Sequence, residues 1–136
     1  MSKKQSDAVK ARIETVPALA TKTFKTVVTH GTTAPYCVIH GAAGEDSQER
    51  LAGPASTMHP RYTLHIVGTT ADQVEVITDL VKAKFILNGY GIPLAVAGET
   101  CSGLWWSVPG PPVAQSDPQP AIVYQVVELG WTADPA

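Results

Sequence analysis

Four histidines offer the widest range of chemistry in this sequence, because an imidazole can bind a metal ion or transfer a proton near neutral pH. No two of them have the close helical spacing of a zinc motif, and no cysteine or carboxylate stands at ligand spacing beside them. His40 and His65 can lie on adjacent strands as a chance pair. The simpler interpretation places all four at strand ends or in interfaces, so we expect neither a metal nor a cofactor. The four are His30, His40, His59 and His65.

Nucleophilic catalysis and phosphate binding find no support either. Cys37 precedes His40 by three residues, a spacing that puts two side chains on opposite faces of a strand. No serine lies in a nucleophile-elbow motif. The glycine-containing stretches at 41–44 and 89–91 match neither a phosphate loop nor a dinucleotide fingerprint, so we assign them to turns. We therefore expect a protein that is not an enzyme.

Seven other residues are candidates for contacts with neighbouring protein chains. A charged cluster in a long loop could contact another subunit, line a channel that carries DNA, or form a solvated loop tip. Two adjacent tryptophans face opposite ways on a strand, so one is expected in the core and the other at an interface, unless both pack inside. The candidates are Glu45, Asp46, Glu49, Arg50, Tyr90, Trp105 and Trp106.

The composition points to a single domain covering residues 1–136 with an unusually low charge. Hydrophobic residues make up 44% of the chain and charged residues 16%, where about 25% charged is usual. Either neighbouring molecules cover part of the surface, or Thr, Ser, Gln and Pro supply its polarity. The net charge of −2 argues against gripping phosphate backbones, but not against surrounding DNA without gripping it.

The location of the protein follows from what the sequence lacks. Cys37 and Cys101 are too few for a disulfide scaffold, so we expect buried thiols in a reducing compartment. The amino-terminal residues have no apolar core of signal-peptide length, and no stretch approaches the ~20 apolar residues of a membrane span. We expect a soluble protein made in the cytoplasm.

Residues 61–85 predict one strand, one turn and one helix. These elements are the scaffold that must position any functional side chains. Residues 61–66 alternate with the period of a half-buried strand. Thr70 and Gln73 stand at capping-box spacing. A helical stripe follows, formed by Val74, Ile77, Val81 and Phe85.

The other patterns complete an α+β domain. We expect an antiparallel-rich, mixed sheet with one main amphipathic helix and a short N-terminal helix packed on it, plus long loops. The longest strand, residues 121–131, is apolar on both faces, as expected of a strand covered on both sides. The predictions are a helix at 7–15, a hairpin of strands 23–30 and 36–40, a loop or hairpin arm at 41–60, a helix stop at 88–89, strands at 92–97 and 103–107, and a proline-rich loop at 109–120.

Three segments together resemble the tail terminator family of long-tailed bacteriophages, also called tail-completion or minor tail proteins. They are PYCVIH at 35–40, RYTLHIVGTTADQVEVITDLVKAKF at 61–85 and YQVVELGW at 124–131. The resemblance covers nearly the whole chain and the order of its elements. It rests on pattern, since this family has no catalytic signature.

The resemblance implies a structural role in a virion. Such proteins form a six-fold ring that caps the head-proximal end of the tail tube, ends its polymerisation when the tape-measure protein is used up, and docks to the head–tail connector. The implied partners are copies of the chain in a hexamer, the tail tube protein, the connector and the tape-measure end, while DNA passes through the lumen without specific binding and no membrane is involved. The alternatives are a connector or tube subunit of the same virion neck, and less readily a small metal-dependent enzyme.

Overall fold

The computed structural model describes residues 2–42, 46–47, 57–115 and 121–135. Its helices are α1 (Ser2–Ile13) and α2 (Ala71–Phe85), with a 3-10 turn at Pro17–Leu19. Its strands are β1 (Thr23–Lys25), β2 (Tyr36–Ala42), β3 (Asp46–Ser47), β4 (Thr57–Met58), β5 (Arg61–Gly68), β6 (Ile86–Leu87), β7 (Tyr90–Gly91), β8 (Glu99–Ser107), β9 (Val113–Gln115) and β10 (Ile122–Pro135).

The predicted α+β fold is confirmed: two helices pack on a mixed, largely antiparallel open sheet. The long strand β10 organises the sheet. One edge of β10 pairs with β5 and then with β4, and its other edge pairs with β8 and β9, all antiparallel. Strand β2 pairs antiparallel with the far edge of β5. Strands β6 and β7 form a separate small hairpin.

The strand, turn and helix predicted for residues 61–85 are confirmed as β5 and α2. The Thr70 side chain accepts a hydrogen bond from the Gln73 backbone N–H at 3.1 Å and so caps α2. The Gln73 side chain reaches back to the backbone N–H of Thr69, at 2.8 Å, one residue before the expected Thr70. The predicted helical stripe is buried, and Thr78 joins it.

The hairpin predicted from residues 23–30 and 36–40 is wrong, because β1 runs parallel to β2, with Thr23 opposite Cys37. Strand β1 contains only three residues. The chain leaves it at Thr26, whose φ of 64° is left-handed. Because β1 is so short, residues 26–35 are enough to bring the chain back to the point where β2 begins beside it. A longer β1 would need a longer connection to a parallel neighbour.

Two further predictions in the second half of the chain need correction. Helix α2 ends at Phe85, and Asn88 and Gly89, with φ values of 52° and 83°, instead form the two-residue turn between β6 and β7. Residues 92–96 form no strand. Leu94 and Val96 are buried there, so their alternation reflects packing in the core and not pairing in the sheet.

Helix α1 begins at Ser2, earlier than predicted, and buries Val9 and Ile13 against the sheet. Its Arg12 guanidinium donates to the carbonyl oxygens of Ile92 and Pro93, at 2.6 and 2.8 Å. These two hydrogen bonds satisfy carbonyl oxygens that lie outside any β-ladder. They also attach the segment after β7 to α1.

The possible hairpin arm within residues 41–60 is present where the structure describes it. Strands β3 and β4 pair antiparallel, with Asp46 opposite Met58, and so continue the pairing of β2 with β5. Residues 43–45 and 48–56 of the arm lie outside the described part of the chain. In the proline-rich segment, β9 lies beside β10 as an outer strand, which agrees with the expectation that the prolines exclude an inner strand.

Candidate functional site

The two faces of the sheet differ in what covers them. The inner face packs against α1 and α2 and contributes Leu64, Ile66, Val127 and Leu129 to the core. On the other face, which we call the open sheet face, no helix of the described chain lies over the strands. The side chains of the open sheet face are nevertheless apolar over most of their extent: Tyr36, Val38, His65, Val67, Ile122, Tyr124 and Val126.

Strand register arranges these side chains in rows across β2, β5 and β10. Val67 stands opposite both Tyr36 and Tyr124, and His65 stands opposite both Val38 and Val126. Together they line a groove of about 370 Å³, with Val28 and Gln115 also contributing. The groove is therefore a preformed trough along the sheet, lined by aliphatic and tyrosine side chains together with His65 and Gln115.

The open sheet face becomes polar toward the other end of β5. The His40 and His65 rings are 4.9 Å apart, so the pair foreseen on adjacent strands does form. Burial, and secondly the charge of His40, lowers the pKa of His65, which favours a neutral imidazole at pH 7. Within the described residues, no group of three or more metal-ligating side chains surrounds the pair.

A second apolar surface lies on α2, turned away from the core. Val76, Leu80 and Ala83 are exposed at i, i+4 and i+7 spacing, and we call them the helix stripe. Val76 is 58% exposed and Leu80 48%. Beside the stripe, Asp72, Glu75 and Asp79 make one flank of the helix acidic.

The predicted interface residues fall into three groups. Glu45, Glu49 and Arg50 lie outside the described residues, and of Asp46 only the backbone in β3 is described. Tyr90 is 79% exposed at the tip of the β6–β7 hairpin. The third group is the adjacent pair Trp105 and Trp106 on β8.

The structure separates Trp105 and Trp106 as strand alternation requires. Trp106 packs against Phe85 in the core, with ring centroids 5.7 Å apart. Trp105 is 38% exposed on the other face of β8, and the Arg61 guanidinium lies 5.9 Å above its ring. Trp105 is therefore available to a partner and Trp106 is not.

Neither the open sheet face nor the helix stripe was predicted from the sequence as a surface. The signal for the first was present, because the pattern of the last strand is apolar on both faces. The signal for the second was weaker: Val76 and Leu80 interrupt the polar side of an otherwise ordinary amphipathic helix.

Neither thiol is placed for chemistry. Cys37 is fully buried, and burial raises its pKa to about 12. Burial also raises the pKa of Cys101, beside Glu99. Both thiols stay protonated near neutral pH and act as small apolar side chains. In the part of the chain that is described, neither helix is long and apolar enough to cross a membrane.

The fold defines an α+β class in which one face of an open mixed sheet is covered by two helices. A chain from the virion of a native gene transfer agent (GTA) particle has a similar fold, with a TM-score of 0.62, 11% sequence identity, and coverage of 95% of this chain and 96% of that chain. Identity this low shows likeness of fold alone. No protein-family model matches the sequence, and no curated protein matches it.

Proposed function

We propose that this chain is a structural protein of a phage-like virion and that it forms a ring on the head-proximal end of the tail tube. In this role it ends tube polymerisation and presents the surface to which the head–tail connector docks. It acts by shape and self-association and turns over no substrate.

The observation that carries the proposal is the shared fold with a chain of a GTA virion particle, which extends over 95% of one chain and 96% of the other. A match over nearly the full length of both chains concerns the whole domain and not one common motif. The resemblance of residues 35–40, 61–85 and 124–131 to tail terminators supports the finer assignment.

The surfaces of the molecule also support an assembly role. A ring uses heterologous contacts, so each subunit needs two different complementary faces. The open sheet face and the helix stripe are two separate apolar surfaces on one small domain. Tyr90 and Trp105 are further exposed aromatic side chains, and we propose them as contacts with the tube or the connector.

The charge of the chain suits a lumen through which DNA passes. With a net charge of −2, the protein has no excess of positive charge to hold phosphates. The tape-measure end, the tube and the connector are the protein partners that this position implies, and the proposed ring contains six copies.

A length assay on tail tubes tests the proposal. Purified tube protein from the same genome is polymerised with increasing amounts of this chain, and the products are imaged by electron microscopy. The expected result is shorter tubes, each with one ring at one end, and a ring mass of six copies by native mass spectrometry.

Three other results would contradict the assignment, and two of them would point to a neighbouring role. Incorporation along the tube would identify a tube subunit. Binding to the connector but not to tube ends would identify a connector component. A stable monomer that binds neither partner would remove the virion role altogether.

A further inference from the structure

The His40 and His65 side chains lie on neighbouring strands and on the same side of the sheet. In the pairing of β2 with β5, His65 stands opposite Val38 and His40 stands opposite Thr63, so the two histidines are diagonal neighbours. The Cα atoms of diagonal neighbours are about 7–8 Å apart. The two rings come closer than that, with centroids 4.9 Å apart and planes tilted by 60°. The two imidazoles therefore lean toward each other over the open sheet face.

The separation of the two rings matches the separation that a shared metal ion imposes. A nitrogen of an imidazole lies about 1.1 Å from the centre of its ring and binds Zn²⁺ at about 2.0–2.1 Å. Two imidazoles on one tetrahedral ion therefore have ring centres about 5 Å apart, and the rings of His40 and His65 are 4.9 Å apart. The tilt between the planes is no obstacle, because each ring can turn about its own bond to the ion without changing this distance.

Within the described chain, no protein group occupies the nitrogens of the two rings. No hydrogen bond joins either imidazole to another described residue, and their contacts are with rings. On the side of His65 away from His40, the Tyr124 ring packs with its centroid 5.7 Å away. Burial lowers the pKa of His65, which favours the neutral imidazole that binds metals. His65 is therefore held between two strands in a form that can act as a ligand.

The charged groups of this face lie beside the pair and are of both signs. Arg61 stands in the next row of the sheet, and its guanidinium lies 5.9 Å from the ring of Trp105, on the far side of β10. Glu128 lines the same recess as these two side chains. In the described residues, no third histidine, cysteine or carboxylate completes a metal-binding group, so two imidazoles are the ligands that the protein offers.

We propose that His40 and His65 bind one divalent ion of a late first-row transition metal, with Zn²⁺ as the reference ion and water in the remaining positions. Imidazole suits zinc, copper and nickel, whereas magnesium and calcium prefer oxygen ligands. The bound ion links β2 to β5 at the end of the groove, and its open positions distinguish it from a closed structural zinc site. The site goes beyond the proposed ring and does not depend on it.

Calorimetric titration of the untagged chain with Zn²⁺ tests the proposal. The expected result is one ion per chain, with binding at least about tenfold weaker in His40→Gln and in His65→Gln. The double variant should bind no more weakly than either single variant, because one imidazole cannot chelate. His30→Gln is the matched control, since His30 is exposed and lies on neither strand. Equal affinity of the native chain and both single variants, or binding that does not saturate at one ion, would overturn the proposal.

Nitrogen NMR on the native chain makes the test independent of any effect that a substitution has on the fold. With isotope-labelled histidine, Zn²⁺ should shift the ring nitrogens of His40 and His65 and leave those of His30 and His59 unchanged. The same concentration of Mg²⁺ should shift none of them. Shifts at another histidine in place of this pair, an equal response to Mg²⁺, or no shift at saturating zinc would each overturn the proposal.

Discussion

Replacing Gly41 with alanine should destabilise the protein although it adds a single methyl group. Gly41 lies opposite Tyr62 in the pairing of β2 with β5, and the Tyr62 ring lies over the glycine. A Cβ at this position would overlap ring atoms Cδ1 and Cε1 of Tyr62. The ring has little room to move, because it is buried and stacked on Trp131 with centroids 5.5 Å apart.

Three terms determine the size of the effect. Overpacking a closed site costs about 1–3 kcal/mol. Displacing the ring also weakens the pair with Trp131, and such aromatic pairs contribute about 0.5–1.5 kcal/mol. Alanine in a strand returns about 0.5–1 kcal/mol relative to glycine, because it restricts the unfolded chain. We expect Gly41→Ala to lower the free energy of unfolding by about 1–3 kcal/mol.

Urea unfolding followed by tryptophan fluorescence measures this loss. In a Tyr62→Leu background the ring is absent, so the same alanine should be neutral or stabilising by up to about 1 kcal/mol. Gly110→Ala is the control, because Gly110 has an ordinary φ and nothing within 4 Å of its added Cβ. An equal cost of Gly41→Ala in both backgrounds, or no cost in the native one, would refute the role assigned to the ring.

Three further outcomes follow from single contacts. Thr70→Ala removes the cap of α2 and should cost about 1 kcal/mol in urea unfolding, whereas Thr70→Ser should retain most of it; equal losses would show that the hydroxyl does not cap the helix. The ion pair with Lys25, and secondly the one with Lys3, lowers the pKa of Asp7 to about 2. These ion pairs therefore stabilise the fold above about pH 4, and the stabilisation is lost as the pH falls toward 2. The native chain should thus exceed Asp7→Asn in urea midpoint at pH 7 and match it near pH 2, and a gap independent of pH would contradict this. Cys37 and Cys101 should react with a thiol reagent only after unfolding, since both are buried from the reagent and burial also raises the pKa of each thiol; rapid labelling of the native chain would contradict their burial.

The parts of the fold that local sequence determines were predictable. Residues 61–85 combine a strand of period two with a capped helix whose apolar stripe repeats every three or four residues. Each of these signals depends on neighbours in sequence, and the structure agrees with each. The split of Trp105 and Trp106 between surface and core is predictable for the same reason, since alternation along a strand is local.

The incorrect predictions concern segments whose conformation depends on contacts with residues distant in the sequence. The direction of β1 depends on Thr26 leaving the strand with a left-handed φ, and threonine gives no sequence signal for that. Leu94 and Val96 alternate like strand residues, yet they are buried without ladder partners, where Arg12 of α1 binds the preceding carbonyls. The alternation of Leu94 and Val96 therefore indicates only that every second side chain is buried. An extended segment shows this alternation whether or not it pairs with a neighbouring strand.

The low charge of the chain is accompanied by apolar side chains at particular places on its surface. Two explanations fitted the composition: a surface covered by other molecules, or polarity supplied by uncharged side chains. Scattered exposed apolar residues would favour the second. Val27 and Val108 are scattered exposed residues, but those of α2 form one stripe, and the apolar side chains of β2, β5 and β10 line one groove. An antiparallel sheet with one solvated face should alternate between apolar and polar residues, and Ile122, Tyr124 and Val126 break that alternation. The strand that completes the core therefore also lines a groove that no helix of the described chain covers, which favours the first explanation.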